Sequence, residues 1–333
     1  MVKIEINILK PNQYRDWDSF IENSHEGTIY HYSDWLKISS QYKNYDLKIF
    51  GFYIDDELIG GCPLYFSKKY MLFGNTTTSS PTTQYNGFVF NVNQYDLLTQ
   101  FTIKNKIYDN LLKEIPIGVL DSISIVNSPS FNDTRYFAWN GWNTVIQYAF
   151  FIDLQSYKDS SLVNRMEKKI TENHLTIEES GDIDSFFTLY ESTWNRRGYE
   201  VPINKEFIQE IFHVFERKNK IKMFFGVSKS GKIAGAMIVL IDPNCVHTWV
   251  AATDSELWKT GILYGMYSHI IHYYKNEGHT LLNIHMANTK SLLSFAYCFN
   301  PRLVPFLMIE KKGIINKALS KGVSFSQKNW DTF

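Results

Sequence analysis

The sequence predicts a mixed α/β fold made of two tandem copies of one unit, each a twisted mixed β-sheet flanked by helices. The main observation is a hairpin pattern at 221–241, where two β-rich runs flank the polar turn KSGK at 229–232. Residues 47–66 repeat the layout, with DDE at 55–57 as the turn. With 333 residues, the chain is also long enough for two domains.

Glycines occupy corresponding places in the two hairpins. Gly51 and Gly60 are nine residues apart, and so are Gly226 and Gly235. Each half also reads strand, helices, hairpin, strand, helix, strand, helix, strand. Repetition in the same order indicates a duplication, and antiparallel neighbours followed by a strand–helix–strand crossover predict a mixed sheet.

The duplication sets the expected domain boundaries. We expect a first domain at 1–154 and a second at 155–333, joined by a helix at about 158–173. The last helix, about 314–333, could pack back on the first domain.

Composition favours a globular protein without a strong charge bias. The chain is 44% hydrophobic and 20% charged, with a formal net charge of zero, so no global field draws it to nucleic acid or membrane. The apolar run 234–241 is too short for a bilayer span, and no signal-peptide pattern opens the chain. Cys62, Cys245 and Cys298 are scattered, which indicates a reducing compartment. We therefore expect a cytoplasmic protein without membrane insertion.

Three stretches resemble a known family. The element order matches the GNAT acyltransferase unit, and a duplicated GNAT unit resembles the FemABX family of peptidoglycan aminoacyltransferases. The stretches are WDSFIENSHEGTIYHYSDWLKI (17–38), DTRYFAWNGWNTVIQYAFFIDL (133–154) and MANTKSLLSFAYCFNPRLVPF (286–306). The third is similar to the family's Gly-Ala-Asn signature and the Phe-Lys-x-x-Phe-Gly helix after it. The resemblance covers nearly the whole chain.

The resemblance implies two central strands that splay apart and leave a cleft, here 247–254 and 281–287. It implies transfer of an acyl or aminoacyl group from acyl-CoA or aminoacyl-tRNA to an amine of a cell-wall-type peptide or amino-sugar acceptor. No tightly bound cofactor is expected, with acyl-CoA as a possible donor co-substrate. The partners would be a small-molecule or peptide acceptor and, as one alternative, aminoacyl-tRNA, although zero net charge argues mildly against tRNA. The oligomeric state stays open.

Three positions depart from the family pattern. Asn283 stands for the family's Asp, Met286 for its Gly, and Ala296 for the Lys thought to stabilise developing negative charge. Lys290, six residues before Ala296, could replace that lysine from another direction. The alternative is a catalytically degenerate GNAT pair that acts as a ligand-binding module.

Candidate catalytic residues lie at the ends of the two predicted splayed strands. Amine acylation needs a proton acceptor and a group that steadies the oxyanion. Asp254 ends one strand and His285 ends the other, with Lys290 close behind. Imidazole titrates near neutrality, so His285 could be the base, or it could be a half-buried, hydrogen-bonded histidine.

Candidate substrate contacts come from several segments. Arg196 and Arg197 resemble the family's Arg-x-Gly stretch and suit phosphate or carboxylate recognition, although a solvated helix end would look the same. Tyr85 and Asn86 resemble a substrate loop or form a plain turn. The remaining candidates are Tyr148, for which a core position is the alternative, and Asn288.

One glycine is the candidate for cofactor binding. Gly261, in WKTGILYG, is what this chain keeps of the glycine loop that holds the CoA pyrophosphate at a helix start. No metal is expected: His269 and His272 could share a helix face, but no carboxylate or cysteine lies at ligand spacing.

Overall fold

The computed structural model describes residues 3–67, 76–78, 83–115 and 121–313. These residues form two compact units. The first unit contains the described residues up to Gln147 together with 305–313, and the second unit contains Tyr148–Val304. The predicted helix at 314–333 lies outside the described residues.

The first unit is built on a mixed sheet. Its elements are β1 (Ile4–Ile8), α1 (Tyr14–Glu22), α2 (Ser33–Lys43), β2 (Tyr45–Ile54), β3 (Glu57–Ser67), β4 (Thr76–Thr78), β5 (Val89–Phe90), α3 (Leu97–Glu114), β6 (Ser122–Val126) and α4 (Arg135–Trp139). The strand order is β1-β2-β3-β4-β6, with β5 paired to β3. The core lies between this sheet and α3.

The second unit repeats the plan. Its elements, after β7 (Asn143–Asp153), are α5 (Ser161–Glu172), β8 (Leu175–Glu179), α6 (Ile183–Asn195), α7 (Lys205–Glu216), β9 (Ile221–Ser228), β10 (Ile233–Ile241), β11 (Val246–Thr253), α8 (Ile262–Asn276), β12 (Leu281–His285), α9 (Leu293–Ala296) and β13 (Arg302–Lys312). The order β12-β11-β10-β9-β8 is antiparallel except for the parallel pair β11–β12. A helical layer of α5 and α8 covers one face.

Two strands are divided between the units. Residues 150–153 of β7 pair with β12 in the second unit, whereas residues 308–312 of β13 pair with β6 in the first. The first unit thus contains the end of β13, and the second unit contains the end of β7. The two compact units divide between Gln147 and Tyr148, slightly before the boundary expected at 154/155.

The two hairpins form as predicted, and their turns explain why. Strands β9 and β10 match the predicted runs 221–228 and 233–241. Asp55 and Asp56 both have positive φ (48° and 66°), the type I′ geometry that suits a two-residue hairpin turn. The glycines correspond less exactly: Gly226 faces Gly235, but a register shift after Phe52 leaves Gly51 opposite Gly61.

None of the helices in the described ranges combines the length and the apolar character that a bilayer crossing requires.

Candidate active site

The sheet of the second unit opens between β11 and β12. These parallel strands pair only at Val246 with Leu282 and at His247 with Asn283 among the described residues. Beyond that point β11 runs on to Thr253 and β12 ends at His285. The predicted splay is therefore confirmed, and it leaves the carboxyl ends of both strands open for a ligand.

The alternation of side chains assigns His285 to the face opposite α8. Leu282 and Ile284 belong to the buried core under α8. Because neighbouring strand residues point to opposite faces, Asn283 and His285 lie on the other face. His247, which follows the core residue Val246, lies on that face as well.

His285 is held as a neutral imidazole. Its Nε2 is buried and has no hydrogen-bond partner among the described residues. Burial, followed by the nearby His247, lowers the pKa of His285 well below its usual value. The ring is therefore neutral, which is the form that a general base must have before it takes a proton, but the lowered pKa makes it a weak base and its buried Nε2 must be uncovered first.

His247 is fixed by a buried aspartate that the sequence analysis did not single out. Asp242 Oδ2 lies 2.8 Å from His247 Nε2, and both side chains are almost fully buried. Asp242 Oδ1 also accepts hydrogen bonds from the amides of Asn244 (2.9 Å) and Cys245 (2.8 Å). The signal was an Asp five residues before a His, across the turn between β10 and β11.

The chain turns sharply after β12. His285 and Met286 have φ values of 54° and 50°, a left-handed conformation that side chains rarely adopt. The Ala287 amide donates to His285 O at 2.6 Å. The Asn288 side chain then accepts from the Tyr148 amide (3.2 Å) and donates to Tyr148 O (2.8 Å). The structure thus brings together the predicted contacts Tyr148 and Asn288, next to His285.

Asp254, another predicted catalytic residue, is engaged in the local fold. Its Oδ1 accepts from the amides of Glu256 (2.8 Å) and Leu257 (3.1 Å), and Oδ2 lies 3.3 Å from Lys232 Nζ. Partial burial acts to raise the pKa of Asp254, but these hydrogen bonds and Lys232 outweigh it and hold the pKa below the usual value. Asp254 is therefore an ionised residue that anchors the turn after β11.

The predicted arginines lie on the segment that follows α6. Thr193 Oγ1, in the last turn of α6, accepts from the Thr253 amide at 3.2 Å, which ties this helix end to the end of β11. Arg196 and Arg197 come next and are exposed. The Arg197 guanidinium lies 5.8 Å from the Trp194 ring centre. The segment that carries Trp194, Arg196 and Arg197 therefore lies next to the end of β11.

Gly261 begins α8 with a φ of 85°. A Cβ at Gly261 would lie 3.1 Å from Met166 Sδ of α5, so glycine suits both the backbone and the packing. Amides at the start of a helix can bind a pyrophosphate, but here the 3-10 turn Trp258–Thr260 directly precedes α8, and the Gly261 amide donates to Trp258 O at 3.3 Å. Gly261 therefore stays a candidate for diphosphate binding, with the rest of the glycine loop missing.

Lys290 and Ala296 occupy very different environments. Lys290 is exposed and starts the short 3-10 turn Lys290–Leu292, five residues after His285. Ala296 is fully buried in the core of the second unit. Position 296, where the family pattern has a lysine, therefore lies in the core and does not suit a charged side chain, whereas the exposed Lys290 side chain can change its orientation.

Tyr85 and Asn86 are scaffold residues of the first unit. Tyr85 is fully buried and packs edge-on against Tyr30 and Phe306. Asn86 is also fully buried. Its backbone amide donates to Val126 O at 2.9 Å, and its side-chain Oδ1 accepts from the Val126 backbone amide at 3.2 Å. A substrate would reach these side chains only if the segment opened.

A largely buried acid of the first unit, with 12% of its side chain exposed, was also missed. Glu26 accepts from the Phe90 amide at 2.5 Å and lies 3.9 Å from Lys104 Nζ. Burial, offset in part by Lys104 and Phe90, raises the pKa of Glu26 to about 7. Sequence alone could not show this, because the partners lie 64 and more residues away.

Comparison with known proteins agrees with this geometry. Residues 161–289 match the family model described as an acetyltransferase (GNAT) domain. FemX superposes with a TM-score of 0.70 at 13% identity, covering 96% of this chain and 99% of FemX. L-PGS from Bacillus licheniformis gives 0.60 at 12% identity, over 95% and 97% of the two chains. A tandem GNAT protein from the clavulanic acid biosynthesis pathway gives 0.53 at 8% identity, over 93% and 99%. A search of curated proteins found no match.

The fold and the site thus define a tandem GNAT-fold protein whose second unit carries a GNAT acetyltransferase domain. Residues 161–289 therefore carry an acyltransferase domain of the GNAT type, and the chain as a whole shares the fold of FemX. Domains of this type take the acyl group from acyl-CoA as a co-substrate and need no tightly bound cofactor.

Proposed function

We propose that the protein transfers an acyl or aminoacyl group, from acyl-CoA or aminoacyl-tRNA, to an amine of a cell-wall-type peptide or amino sugar. The observation that carries the proposal is the opening between β11 and β12 with a neutral His285 at its edge. The GNAT match supports acyl-CoA as the donor, and the FemX-like fold supports a peptide acceptor. The three free cysteines fit a reaction in the reducing cytoplasm.

In this proposal His285 is the general base. The acceptor nitrogen attacks the acyl carbonyl carbon, a C–N bond forms, and the proton lost by the nitrogen passes to His285 Nε2, which movement of the segment after β12 must first uncover. The tetrahedral oxyanion then collapses and the bond to the donor breaks, with the electron pair leaving on CoA sulfur or on the tRNA ribose oxygen. Lys290 would steady the oxyanion, and Asp254 would hold the turn beside it.

Charged side chains and hydrogen bonds would hold the two substrates. Arg196 and Arg197 would bind a phosphate or carboxylate of the acceptor. Tyr148 and Asn288 would line the path to His285, and the first amides after Gly261 would bind the donor diphosphate. Tyr85 and Asn86 would contribute only after local opening of the first unit.

The test is a transfer assay with the purified full chain. Acetyl-CoA and charged tRNA serve as donors, with a UDP-linked muropeptide and glucosamine as acceptors. We expect turnover with at least one pair, and a fall in kcat of about 10²–10⁴ in His285→Gln. His213→Gln is the matched control, because His213 is an exposed histidine on α7 of the same unit. Absence of transfer with every pair would refute the proposal.

A binding module is the second candidate, and the burial of Ala296 favours it. Without the family lysine, the second unit could bind a ligand and not turn it over. A thermal-shift screen with acetyl-CoA and the muropeptide separates the two, since a ligand of the native state raises apparent stability. A rise in Tm without any transferred product would support the binding module over the enzyme.

A further inference from the structure

We propose that the second unit selects a donor with an apolar acyl group larger than acetyl, and that Tyr264, Met286 and Phe295 bind this group. The inference rests on the proposed acyl transfer and adds the chemical class of the donor. The three side chains pack on the α8 side of the sheet, where β11 and β12 part, and no step of the proposed reaction uses them.

The acyl group has to lie in the opening between the two strands. The helix α8, which begins after the candidate diphosphate site Gly261, covers one face of the sheet. His285, the proposed base, lies on the opposite face. A donor bound along α8 brings its acyl carbonyl to an acceptor beside His285 only through the opening, which begins beyond the pair His247 and Asn283. The rest of the acyl group then meets the side chains of the α8 side.

Partly buried apolar side chains gather on that side of the opening. They come from the open end of β11, the first turn of α8, the residue directly after β12 and the short helix α9, and each packs against the core beneath α8. They are Ala251, Leu263, Tyr264, Met286, Leu293 and Phe295. Four separate segments thus leave apolar surface exposed at the strand ends, and an aliphatic chain would remove that surface from water on binding.

Two aromatic rings of this group are held in direct contact. Phe295 packs against Tyr264 with ring centres 4.7 Å apart. The buried rings of Tyr267 and Phe299 support Phe295, each with its centre 5.2 Å away. The Tyr264 hydroxyl donates to Cys298 Sγ, which uses its polar atom within the protein. Both rings can therefore offer apolar surface in a fixed position.

Two departures from the family pattern make the same region more apolar. Met286 replaces a glycine directly after β12, and its unbranched, partly exposed side chain can adapt to the shape of a ligand. Ala296 replaces a lysine and is fully buried, so position 296 brings no cation to the opening. An aliphatic acyl group gains contacts from the first change, and a carboxylate on the acyl group would find no counter-charge at position 296. Both departures therefore fit a change of donor class.

Equilibrium binding to the purified full chain, without acceptor, tests the inference. Calorimetry compares free CoA with acetyl-, butyryl- and hexanoyl-CoA. Each buried methylene should tighten binding about fourfold, so butyryl-CoA should bind about 15-fold more tightly than acetyl-CoA.

A second series identifies the source of the acyl group. One tRNA species carries either glycine or leucine, so that the two ligands differ only in the apolar side chain. If tRNA is the source, the leucyl form should bind at least about 10-fold more tightly than the glycyl form. Equal affinity within both series, a preference for acetyl and glycyl groups, or absence of binding in both series would overturn the inference.

Variants assign the apolar surface to its residues. Met286→Gly restores the family residue at a position with a φ of 50°, which glycine accepts, so this variant should fold. The preference for butyryl- over acetyl-CoA should fall at least about threefold in Met286→Gly and at least about fivefold in Phe295→Ala, with unchanged affinity for free CoA. Tyr297→Leu is the control, because Tyr297 is exposed and packs against Phe150 of β7. It should keep the wild-type preference.

The outcome of these measurements is independent of turnover. An unchanged preference in Met286→Gly and Phe295→Ala would overturn the assignment, and Met286→Gly decides alone should Phe295→Ala fail to fold. Tighter binding of longer acyl groups without product in the transfer assay would support the apolar donor site and refute the proposed reaction. Product formed from acetyl-CoA, with no effect of chain length on binding, would support the reaction and overturn the inference.

Discussion

The imidazole rings of His247 and His285 lie nearly parallel, with centroids 5.8 Å apart and an angle of 23° between their planes. His247 is bound to Asp242, and His285 has a buried Nε2. Burial, followed by the nearby His247, lowers the pKa of His285 well below its usual value. The pair therefore keeps His285 neutral at the open end of the strands.

This arrangement predicts an acid-sensitive contribution to stability. The pKa of His285 is lower in the folded chain than in the unfolded chain, so below the usual value of 6.5 the unfolded state binds a proton that the folded state does not. Stability should therefore be lost as pH falls from about 7 to 5. His285→Asn, which tolerates the positive φ, should lose less stability over that interval.

Urea unfolding at pH 5 and pH 8 measures this effect. The stability difference between His285→Asn and the wild type should move in favour of the variant at pH 5. His213→Asn, at an exposed position on α7, is the control and should show the same difference at both pH values. A pH-independent effect of His285→Asn would contradict the prediction.

Glu26 predicts the opposite pH dependence in the first unit. Its pKa rises from 4.5 to about 7 on folding, so the folded state binds the extra proton between these values, and stability falls as pH rises through them. Between pH 5 and pH 8 the loss should be about 2 kcal/mol. Glu26→Gln keeps an acceptor for the Phe90 amide and should remove that loss.

The measurement is again the free energy of unfolding against pH. Glu57→Gln is a useful comparison, because Glu57 is an exposed glutamate at the start of β3 in the same unit. If Glu26→Gln retained the wild-type slope between pH 5 and pH 8, the burial of a protonated Glu26 would be disproved.

We predict that a larger residue at Gly226, in the second hairpin, would disturb the packing against α8. An added Cβ would lie 2.3 Å from Cδ1 and 2.7 Å from Cγ1 of Ile262, which is fully buried at the start of α8. Because Ile262 is β-branched and stiff, Gly226→Ala should cost about 1–3 kcal/mol. Gly181→Ala is the control, since its Cβ would meet only Glu216 Oε1 at 4.0 Å. Equal stability of the two variants would contradict this packing.

The sequence predicted the repeated framework because its signals are local. A glycine turn between alternating runs fixed both ends of β9 and β10, and the family resemblance indicated the splay of β11 and β12. Contacts between segments that are distant along the chain have no local sequence signal. The Asp242–His247 bond depends on a turn geometry, and the group around Glu26 depends on the meeting of a loop, β5 and α3.

Family resemblance selected candidate residues along the chain but could not report their exposure. Tyr85 and Asn86 follow the family's substrate loop in sequence, yet both are fully buried. Asp254 ends the predicted strand, yet its oxygens are occupied by two amides and Lys232. Exposure depends on what packs against a residue, and in this fold those partners come from other segments.

A lysine introduced at Ala296 tests whether the lysine of the family pattern could act from this position. Ala296 is fully buried in the core of the second unit, and a lysine there would place a charge among apolar side chains. Ala296→Lys should therefore destabilise the protein by at least about 3 kcal/mol and should not raise transfer activity. Ser294→Lys, at an exposed position on the same short helix, should change stability by less than about 0.5 kcal/mol. Urea unfolding compares the two. A stable Ala296→Lys variant with increased turnover would mean that the lysine reaches the reaction centre, and Lys290 would then lose its proposed role at the oxyanion.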